Sequence, residues 1–424
     1  MNVLVVGGGA REHALLWKLA ASSRVGRLCC APGNAGTELL GENLSIAVND
    51  FDGLARAVEA RGIDLVVVGP EDPLSRGLAD FLQQRGHLVF GPTAAAAQIE
   101  SSKAWAKEIM TETGVPTARA VVCHSAAEAL DAVYDAPLPL VIKADGLAAG
   151  KGVVVCQTRD EADTAVRWMM EDGALGGAAR TLLVEECLNG VEVSCLAVTD
   201  GETVLPLLPA CDYKRIHDGD LGPNTGGMGA YSPPGFLDDS TIRAVLDDVI
   251  APVIQGMARR EIVYRGVLYA GLMMTRTGPK VIEFNCRLGD PETQVILPLL
   301  DSDLLTLCEA TARGELASHP GLAWFPGACV GVVLASGGYP GPHTTGHVIH
   351  GLDAVPGDAV VFHAGTTRRG HDIVTAGGRV LTAVGHGADM TSAREAAYDT
   401  AREISFADMH YRSDIALREL EPAP

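Results

Sequence analysis

Residues 140–153, LVIKADGLAAGKGV, are the stretch that decides how this chain folds. Their apolar run predicts a strand ending at Lys143, and a loop of small residues then carries Lys151 into the next strand. Gly150 and Gly152 allow backbone N–H groups to approach an anion closely, although the spacing is not that of a Walker A motif. The passage therefore predicts a hairpin loop that folds over nucleotide phosphates; the alternative is an ordinary hairpin with solvated lysines.

Residues 280–294, KVIEFNCRLGDPETQ, predict a second strand with polar residues at its end. Alternation along a strand puts Glu283 and Asn285 on one face, and we expect Ile282 and Phe284 to face the core. Two oxygen ligands on one face suit magnesium, which takes one or two protein ligands and completes its shell with phosphate oxygens and water. The alternative is a strand edge carrying a solvated ion pair.

Two weaker signals extend this candidate site. After the strand, Arg287 continues the same face, and Asp290 is expected to cap a helix that begins at Pro291. Residues 185–192, EECLNGVE, predict a strand that runs into a linker with backbone groups for an adenine edge. Glu192 is then placed to accept hydrogen bonds from ribose hydroxyls, but an acidic strand end before an Asn-Gly turn is also commonplace.

Composition and charge limit the classes of protein. The 424 residues suggest about three domains, and 47% apolar residues are enough for several cores. No run of about 18 apolar residues and no basic leader are found, and the ten cysteines are scattered, which predicts a cytoplasmic protein with buried thiols. A net charge of −20 disfavours nucleic acid and anionic membranes as partners.

The lysines stand out because the chain so strongly favours arginine. Phosphates bound by an acidic protein need local cations and backbone N–H groups. Only 7 of the 33 basic residues are lysines. Four of them lie in glycine-rich or apolar settings and are therefore candidate phosphate ligands: Lys103, Lys143, Lys151 and Lys214.

The pattern of elements predicts an α/β chain. In residues 1–100, strands alternate with helices, as in a parallel sheet covered on its faces: strands at Asn2–Val6, Leu65–Gly69 and His87–Phe90, and helices at Ala10–Ala20, Leu54–Arg61 and Leu74–Arg85. Further on we predict a helix through Lys103 to Thr113, strands at 120–123, 138–143, 152–156 and 181–185, helices near 126–133 and 160–171, a glycine-rich loop at 218–235, a long helix near 238–260, strands at 266–275 and 280–285, and a β-rich end from about Cys329 with a helix near 391–403.

Together these passages resemble the ATP-grasp superfamily and, within it, the phosphoribosylamine–glycine ligase family, also called glycinamide ribonucleotide synthetases. The similarity runs in order from residue 2 to at least 385. The segments that carry it are residues 287–294 (RLGDPETQ), 7–13 (GGGAREH), 32–37 (PGNAGT), 69–74 (GPEDPL) and 222–233 (GPNTGGMGAYSP).

The resemblance implies three domains. They are an N-terminal substrate-binding α/β domain with a parallel sheet at 1–102, an α+β ATP-grasp core at 103–315 with a mobile lid subdomain near 117–188, and a small β-rich C-terminal domain at 325–424. A monomer that acts on small molecules is expected. The reaction implied is the ATP-dependent joining of glycine to 5-phosphoribosylamine in purine synthesis, giving ADP and phosphate through a glycyl phosphate.

The resemblance also implies which residues bind. ATP would contact Lys103, Lys143, Gly150, Lys151, Gly152, Glu185, Leu188 and Glu192, and Mg²⁺ or Mn²⁺ would be held by Glu283 and Asn285. The substrates would contact Gly9, Arg11, Glu12, Asn34, Gly36, Thr37, Glu71, Asp72, Asp212, Lys214, Thr225, Gly226, Gly227 and Arg287. The residues expected to take part in catalysis are Lys143, Lys151, Asp212 and Arg287, with Asp212 orienting a substrate amino group.

For the sugar phosphate, we expect the backbone N–H groups of Gly33–Thr37 and of the Gly7–Gly9 loop to form an anion nest, with Glu71 and Asp72 accepting from ribose hydroxyls. The plain alternatives are a turn at Gly33–Thr37 and an acidic pair at a helix start. Two departures matter: relatives tend to have histidine where this chain has Tyr213, and Val267–Met274 lacks the acidic metal ligand of many ATP-grasp enzymes, which leaves the number of metal ions open.

Three other functions compete with this one. An NAD-dependent oxidoreductase is suggested by Gly7 and Gly9, but Glu12 occupies the third glycine position of the fingerprint and would crowd the helix–strand contact. A nucleotide-binding regulator without catalysis is disfavoured because Lys143, Lys151, Glu283, Asn285 and Arg287 are all retained. An ATP-grasp ligase that activates bicarbonate or formate is disfavoured by residues 222–233 and 287–292.

Overall fold

The structure is a computed structural model that describes residues 1–148, 150–356 and 359–420, so the last four residues of the predicted C-terminal domain lie outside it. The first hundred residues form a parallel sheet of five strands in the order 3-2-1-4-5. Its first strand is buried from Val3 to Val6 because helices cover both faces. The strands are Asn2–Gly7, Arg27–Pro32, Glu42–Asn43, Leu65–Val68 and Leu88–Phe90; the helices are Ala10–Ala20, Phe51–Arg61, Glu71–Ser75 and Leu78–Gln83. The predicted parallel-sheet domain is confirmed.

Helix boundaries near two residues differ from the prediction. The single helix predicted at Leu74–Arg85 is wrong, because Gly77 has φ 88° and separates two short helices. The helix predicted through Lys103 to Thr113 is present, but a separate helix, Ala94–Ser101, precedes it. Ser102 separates them with ψ 108°, and its side chain caps the second by accepting the backbone N–H of Trp105.

The lid is an antiparallel four-stranded sheet with two helices on one face. The strands of the 140–156 hairpin pair so that Lys143 lies opposite Val153. Its apolar residues form a cluster of their own, separate from the main cores, so the lid packs as an independent unit. In sheet order the strands are Ala120–Cys123, Leu182–Glu186, Leu140–Ala144 and Val153–Cys156, and the helices are Ala126–Asp135 and Arg159–Met170.

Facing the lid lies the second sheet of the core, also antiparallel. A bulge in its last strand leaves Ile282 as an extra residue between the pairs Val281–Leu272 and Glu283–Gly271. Val281 is therefore the fully buried residue and Ile282 only half-buried, so the prediction that Ile282 faces the core is wrong. In sheet order the strands are Val204–Pro206, Val191–Thr199, Gly266–Thr275 and Gly278–Asn285.

The remaining core elements surround the predicted glycine-rich loop at 218–235, which contains structure of its own. Arg215–His217 and Leu221–Asn224 form a short hairpin, and Gly229–Ser232 is a strand. The long helix predicted near 238–260 is present and includes a π-helical turn at Leu246–Ile250. The core helices are Asp239–Val245, Ala251–Arg259, Thr293–Ile296 and Leu304–Arg313.

The C-terminal segment is β-rich with one long helix, as predicted. Its five-stranded sheet takes two strands from the core, so the C-terminal segment is joined directly to the candidate site. In sheet order the strands are Cys211–Asp212, Gly229–Ser232, Ala328–Ala335, Arg379–Gly387 and Val360–His363; the helix Met390–Glu403 packs on this sheet, Thr366–Arg369 pairs with Asp372–Thr375, and Leu417–Leu420 is a final helical turn. A search of the described helices finds none with the length and hydropathy of a membrane span.

Candidate active site

A buried lysine lies where the lid meets the core. Lys143 is 5% exposed, and its Nζ donates to the carbonyl oxygen of Ile282 at 3.0 Å. It also forms an ion pair with Oε2 of Glu185 at 2.8 Å. The lid strand thus delivers Lys143 to the bulge of the core strand, as its position at a strand end predicts.

Glu185 contacts a second lysine that the sequence analysis missed. Lys107 places its Nζ 3.1 Å from Oε1 of Glu185 and donates to Thr117 Oγ1 and to the Ala118 carbonyl at 2.9 and 2.7 Å. The available signal is the spacing from Lys103, because residues four apart share a helix face. Each oxygen of the Glu185 carboxylate therefore has a lysine ammonium group as an ion-pair neighbour.

Lys103 joins Lys107 from the same helix and Lys143 from the lid strand in a group of three lysines, which we call the lysine cluster (Lys103, Lys107 and Lys143). Burial lowers the pKa of Lys103, Glu283 opposes that shift and Lys143 adds to it. The side chain extends towards the carbonyl oxygen of Gly146, 3.4 Å from Nζ. Three ammonium groups therefore meet at the edge of the cleft between lid and core.

The lid face that carries Lys143 and Glu185 is otherwise apolar. The pairing register places Val141, Leu183 and Val155 on that face, and Val155 is 41% exposed. An apolar surface beside a cation suits a purine ring and its phosphates. None of the predicted site residues is an apolar residue of this face, although the alternation within residues 140–156 contains the signal.

The loop of the hairpin lies farther out. Lys151 and Gly150 are exposed, whereas Lys143 is buried. Gly150 has φ +78°, and a Cβ at Gly152 would come within 2.8 Å of the Ala148 Cβ, so both positions require glycine. Leu188 lies in the link between the lid strand and the core strand that starts at Val191.

Two of the predicted oxygen ligands, Glu283 and Asn285, end the core strand. Burial works to raise the pKa of Glu283, but Lys214, Lys143, Lys103 and Arg287 outweigh it and the net shift is downward, so the carboxylate is charged. Asn285 Oδ1 accepts from Arg287 at 3.2 Å. Within the described residues no three His, Cys, Asp or Glu side chains group together as metal ligands. This donor pair fits a cation that takes its other ligands from phosphate and water.

Arg287 is held by three side chains. Its guanidinium contacts Glu71 at 3.2 Å and Glu100 at 2.9 Å as well as Asn285. Burial would raise the pKa of Glu71, but Arg287 and Arg11 lower it to about 2. Glu100, which the sequence analysis missed, also accepts from the Cys286 N–H at 2.8 Å, and burial raises its pKa.

In the N-terminal domain, Arg11 and Glu12 form a buried pair at 2.6 Å beside the Arg287 site. Arg11 donates to the Leu288 carbonyl, and Glu12 accepts from the Gly9 N–H at 2.6 Å. A Cβ on Gly69 would lie 2.0 Å from Glu12 Oε1, so glycine is needed where this side chain packs. Glu12 is therefore a packing and capping residue in the very position that an NAD fingerprint reserves for glycine.

The anion nest predicted at Gly33–Thr37 does not fit the structure. The N–H groups of Gly36 and Thr37 donate to Asn34 Oδ1 at 2.8 and 3.0 Å, that of Asn34 donates to Thr37 Oγ1, and that of Gly33 donates to the Gly7 carbonyl. These amides already have protein acceptors, so this prediction is wrong and the passage is a tightly bonded turn.

Asp72 lies away from the Arg287 site. Its carboxylate accepts from Arg76 at 2.8 Å and from Asn49 at 2.6 Å on the protein surface. Glu71 is thus the member of this acidic pair that points to the site. That both carboxylates accept from ribose hydroxyls stays a prediction; of the two, Glu71 is the one beside Arg287.

Asp212 and Lys214 lie on the far side of Glu283. Lys214 forms an ion pair with Glu192. Burial would lower the pKa of Lys214, but the negative charges of Asp212, Glu192 and Glu283 outweigh burial and raise it. Burial raises the pKa of Asp212 to about 7; Lys214 opposes that shift, and Glu292 and Glu192 add to it. An aspartate with a pKa near neutrality is suited to hold or release a proton during a reaction.

Tyr213 faces away from this charged group. It is 3% exposed, and its ring lies between the guanidinium groups of Arg412 and Arg418, at 4.7 and 4.4 Å from the ring centroid. The residue at the position where the resemblance leads one to expect histidine thus contacts arginines of the C-terminal segment.

Two loops are joined by an arginine from the C-terminal domain. Arg379 contacts Asp290 Oδ2 at 3.0 Å and donates to the Asp290 and Gly226 carbonyls. Asp290 Oδ1 accepts from Gln294 at 2.8 Å, so Asp290 does not cap the following helix, whose N-cap position is Glu292. That predicted cap is wrong. Arg379 was missed because 89 residues separate it from Asp290.

The loop with Thr225, Gly226 and Gly227 is shaped by internal hydrogen bonds. Thr225 Oγ1 accepts from the Gly227 N–H at 2.9 Å and donates to the Lys214 carbonyl at 2.9 Å. Gly227 has φ +106°, and a Cβ there would meet Pro291 at 2.4 Å. The loop thus packs directly on the segment that contains Arg287.

Comparison with known proteins agrees with this geometry. The sequence family described as phosphoribosylglycinamide synthetase matches in three parts, its N domain over residues 1–100, its ATP-grasp (A) domain over 101–293 and its C domain over 329–418. The phosphoribosylamine–glycine ligase of Nostoc sp. is 50% identical over 423 residues and 99% of each chain. That of Pseudomonas aeruginosa is 47% identical over 99% of this chain and 98% of its own.

Solved structures give the same result. The phosphoribosylamine–glycine ligase of Thermotoga maritima superposes with a TM-score of 0.86 at 33% identity, covering 98% of this chain and 100% of its own. The biotin carboxylase domain of Hydrogenobacter thermophilus 2-oxoglutarate carboxylase, whose crystals contain MgADP and bicarbonate, superposes with a TM-score of 0.75 at 16% identity, covering 97% of this chain and 91% of its own. That second likeness shows a shared fold.

Proposed function

The chain belongs to the phosphoribosylglycinamide synthetase family, and from this premise we propose that it works through a glycyl phosphate formed between the lysine cluster and Arg287. The enzyme is an ATP-dependent ligase that joins glycine to phosphoribosylamine in purine biosynthesis. The observation that carries the proposal is the convergence of lysines from lid and core on Glu283, beside Arg287.

In the first step, a carboxylate oxygen of glycine attacks the γ-phosphorus of ATP and ADP leaves. Two like charges 4 Å apart repel by about 4 kcal/mol at an effective dielectric near 20, so this approach needs countercharge. Lys103 supplies it from the core and Lys143 from the lid strand. Lys151 joins them when the lid loop closes, and closure also keeps water from the acyl phosphate.

ATP binds between the lid and the core sheet. The apolar lid face receives the adenine, and backbone groups of residues 185–188 form hydrogen bonds with it. Glu192 accepts from the ribose hydroxyls. The backbone at Gly150 and Gly152 closes over the phosphates. The biotin carboxylase domain that shares this fold was crystallised with MgADP, which supports binding of a nucleotide by this fold.

The divalent ion is assigned to Glu283 and Asn285. ATP-grasp enzymes bind ATP with a divalent metal, and we assign Mg²⁺ or Mn²⁺ because both ligands are hard oxygen donors. When bound, the ion neutralises phosphate charge. Glu283 remains charged for this purpose because Lys214, Lys143 and Lys103 lower its pKa.

In the second step, the amine of phosphoribosylamine attacks the acyl carbon and phosphate departs. Asp212 orients an amino group and accepts a proton, which its raised pKa permits. Arg287, held by Glu71 and Glu100, faces the developing charge on the acyl phosphate. Phosphoribosylamine is surrounded by residues of the core and of the N-terminal domain: Lys214, the Thr225–Gly227 loop, Gly9, Arg11, Glu12, Asn34, Gly36 and Thr37.

The test follows the carboxylate oxygen. Glycine labelled with ¹⁸O in its carboxylate is incubated with the enzyme, ATP and freshly generated phosphoribosylamine, and the phosphate is analysed by its isotope shift in ³¹P NMR. We expect one labelled oxygen in each phosphate released, because the acyl phosphate carries it. Released phosphate without the label, which would have taken its new oxygen from water, would exclude the glycyl phosphate.

We also propose that the enzyme acts as a cytoplasmic monomer without nucleic acid. All ten cysteines are free thiols, which suits a reducing compartment. The net charge of −20 opposes binding to a polyanion. Light scattering at several protein concentrations gives the mass, and a value near twice 44.2 kDa would contradict the monomer.

A further inference from the structure

Lys107 is a buried cation at the nucleotide end of the cleft to which the proposed mechanism gives no part. It lies one helical turn after Lys103, in the helix Lys103–Thr113. Its ammonium group has three oxygen neighbours, on Glu185, Thr117 and Ala118, at 2.7 to 3.1 Å. All three neighbours are protein oxygens, so the ammonium group of Lys107 is bound within the protein.

The charges around Glu185 do not balance as a simple pair. One carboxylate, 2% exposed, has an ammonium group on each oxygen, Lys107 on Oε1 and Lys143 on Oε2. If Lys143 were the only cation beside this carboxylate, the pair would have no net charge and would attract a triphosphate only weakly. With Lys107 present, the group of three keeps one positive charge, and in a buried setting that charge is weakly screened.

We propose that Lys107 is a positioning residue that neutralises Glu185, so that the charge of Lys143 acts on the triphosphate of ATP. This proposal rests on the proposed function, in which Lys143 contacts ATP. Lys107 touches neither substrate nor nucleotide; it acts through Glu185. The sequence spacing supports the arrangement, because Lys103 and Lys107 lie on one helix face with Lys103 directed to the loop after Lys143.

Lys107 also fixes the segment where the lid begins. Thr117 and Ala118 connect the core helix to the first lid strand, and Lys107 donates to both. Thr117 in turn donates to the Val281 carbonyl at 2.7 Å, and the Val281 N–H donates to Pro116 at 2.8 Å. One ammonium group thus links the start of the lid, the lid strand with Glu185 and, through Thr117, the core strand that leads to Glu283.

The chain provides a matched control in Lys280. This lysine lies at the same junction of lid and core and pairs with Glu186, the residue next to Glu185, at 3.3 Å. Glu186 also pairs with Arg119, and the three side chains are more exposed than those of the Lys107 group. Removing Lys280 therefore deletes a lysine from this junction without leaving a carboxylate beside Lys143.

The experiment measures KM for ATP and for glycine in Lys107→Met and Lys280→Met. For Lys107→Met we expect KM for ATP to rise about tenfold, equivalent to 1.4 kcal/mol, with KM for glycine nearly unchanged. Lys280→Met should keep both constants near wild type. In Lys107→Met/Glu185→Gln the unbalanced carboxylate is gone, so we expect most of the affinity for ATP to return.

The double variant separates charge from structure. A lost structural contact would make the double variant worse than Lys107→Met, whereas the proposal requires it to be better. An unchanged KM for ATP in Lys107→Met, or a double variant with a still higher KM, overturns the proposal. If Lys107→Met does not fold, Lys107→Arg keeps the charge and should hold KM for ATP within about threefold; a tenfold rise there refutes the charge argument. Labelled oxygen must still appear in the phosphate from every variant, and its absence would count against the glycyl phosphate itself.

Discussion

The two ends of the cleft use different cations in different ways. At the nucleotide end, Lys107 and Lys143 share the Glu185 carboxylate, and Lys103 has no carboxylate within ion-pair distance among the described residues. At the substrate end, every arginine is paired: Arg11 with Glu12, Arg287 with Glu71 and Glu100, and Arg379 with Asp290. The nucleotide end thus keeps positive charge in excess, and the substrate end is close to neutral.

This difference follows from what each end must do. A triphosphate brings several negative charges and moves during the reaction, so compact and mobile ammonium groups suit it. The substrate end must hold the Gly226–Gly227 loop, the Arg287 segment and the N-terminal domain in one geometry, and planar guanidinium groups with several donors join carboxylates and carbonyls well. In a chain with only 7 lysines among 33 basic residues, three of the lysines lie in the lysine cluster.

Glu283 lies between the two ends, so changing it tests both at once. Glu283→Gln removes the charge that Lys214, Lys143, Lys103 and Arg287 share and the proposed metal ligand with it. We expect kcat to fall about 1000-fold, the scale of losing one strong electrostatic contribution to a transition state. Steady-state ADP formation measures it. A turnover within tenfold of wild type would mean that the metal is held elsewhere.

Arg287 tests whether the substrate end depends on balanced pairs. Arg287→Met leaves the Glu71 and Glu100 carboxylates without their cation, and we expect a loss of about 3 kcal/mol in the free energy of unfolding at pH 7. Arg287 and Arg11 hold the pKa of Glu71 at about 2, below its unfolded value, so the stability that this carboxylate contributes is present above the unfolded pKa and is lost as pH falls towards 2. The difference from wild type should therefore shrink in acid.

Urea unfolding at pH 7 and at pH 3 measures this dependence. Arg313→Met serves as the control, because Arg313 forms an exposed helical pair with Glu309 at 3.0 Å. Such pairs contribute about 0.3 to 0.5 kcal/mol. Equal losses in the two variants would show that the pairs at the substrate end are no more than surface contacts.

Much of the nucleotide end was visible in the sequence because its signals are local. Lys143 ends an apolar run, and Glu283 and Asn285 alternate on one strand, so chain position alone predicted where they would lie. Lys107 escaped because its partner, Glu185, lies on a lid strand 78 residues later, and nothing near Lys107 in the chain marks it. Even so, its spacing from Lys103 contained part of the signal.

The substrate end was harder to predict because its contacts join distant segments. Glu100 and Arg379 reach the site from a helix before the lid and from the C-terminal sheet. The nest predicted at Gly33–Thr37 failed for a related reason: Asn34 supplies acceptors that composition cannot reveal. Backbone breaks at Gly77 and Ser102 depend on single torsion angles, which periodicity averages over.

Arg379 tests whether the C-terminal domain shapes the substrate end. Arg379→Lys keeps the charge, but an ammonium group lacks the planar set of donors of a guanidinium. It therefore cannot contact the Asp290 carboxylate and the Asp290 and Gly226 carbonyls at the same time. We expect KM for phosphoribosylamine to rise about tenfold and KM for ATP to stay near wild type. Arg368→Lys, at an exposed pair with Glu38, is the control. A rise in KM for ATP instead would mean that Arg379 acts on the nucleotide end.

The smallest effect concerns pH, and Asp212 is the group that sets it. Burial, with Glu292 and Glu192, raises the pKa of Asp212 to about 7 against the opposing fields of Lys214 and Arg418. The folded state therefore binds this proton more tightly than the unfolded chain, so the stability contributed by protonated Asp212 is present at low pH and is lost as pH rises through about 7. Activity should move the other way, since the ionised carboxylate orients and deprotonates the amine. We expect kcat/KM for phosphoribosylamine to rise about twofold from pH 7 to 8 in the wild type and to lose this limb in Asp212→Asn. We expect no such limb in kcat/KM for ATP, which depends on the nucleotide end; if one appears, the proton belongs to a group shared by both ends, and the division between them is not electrostatic.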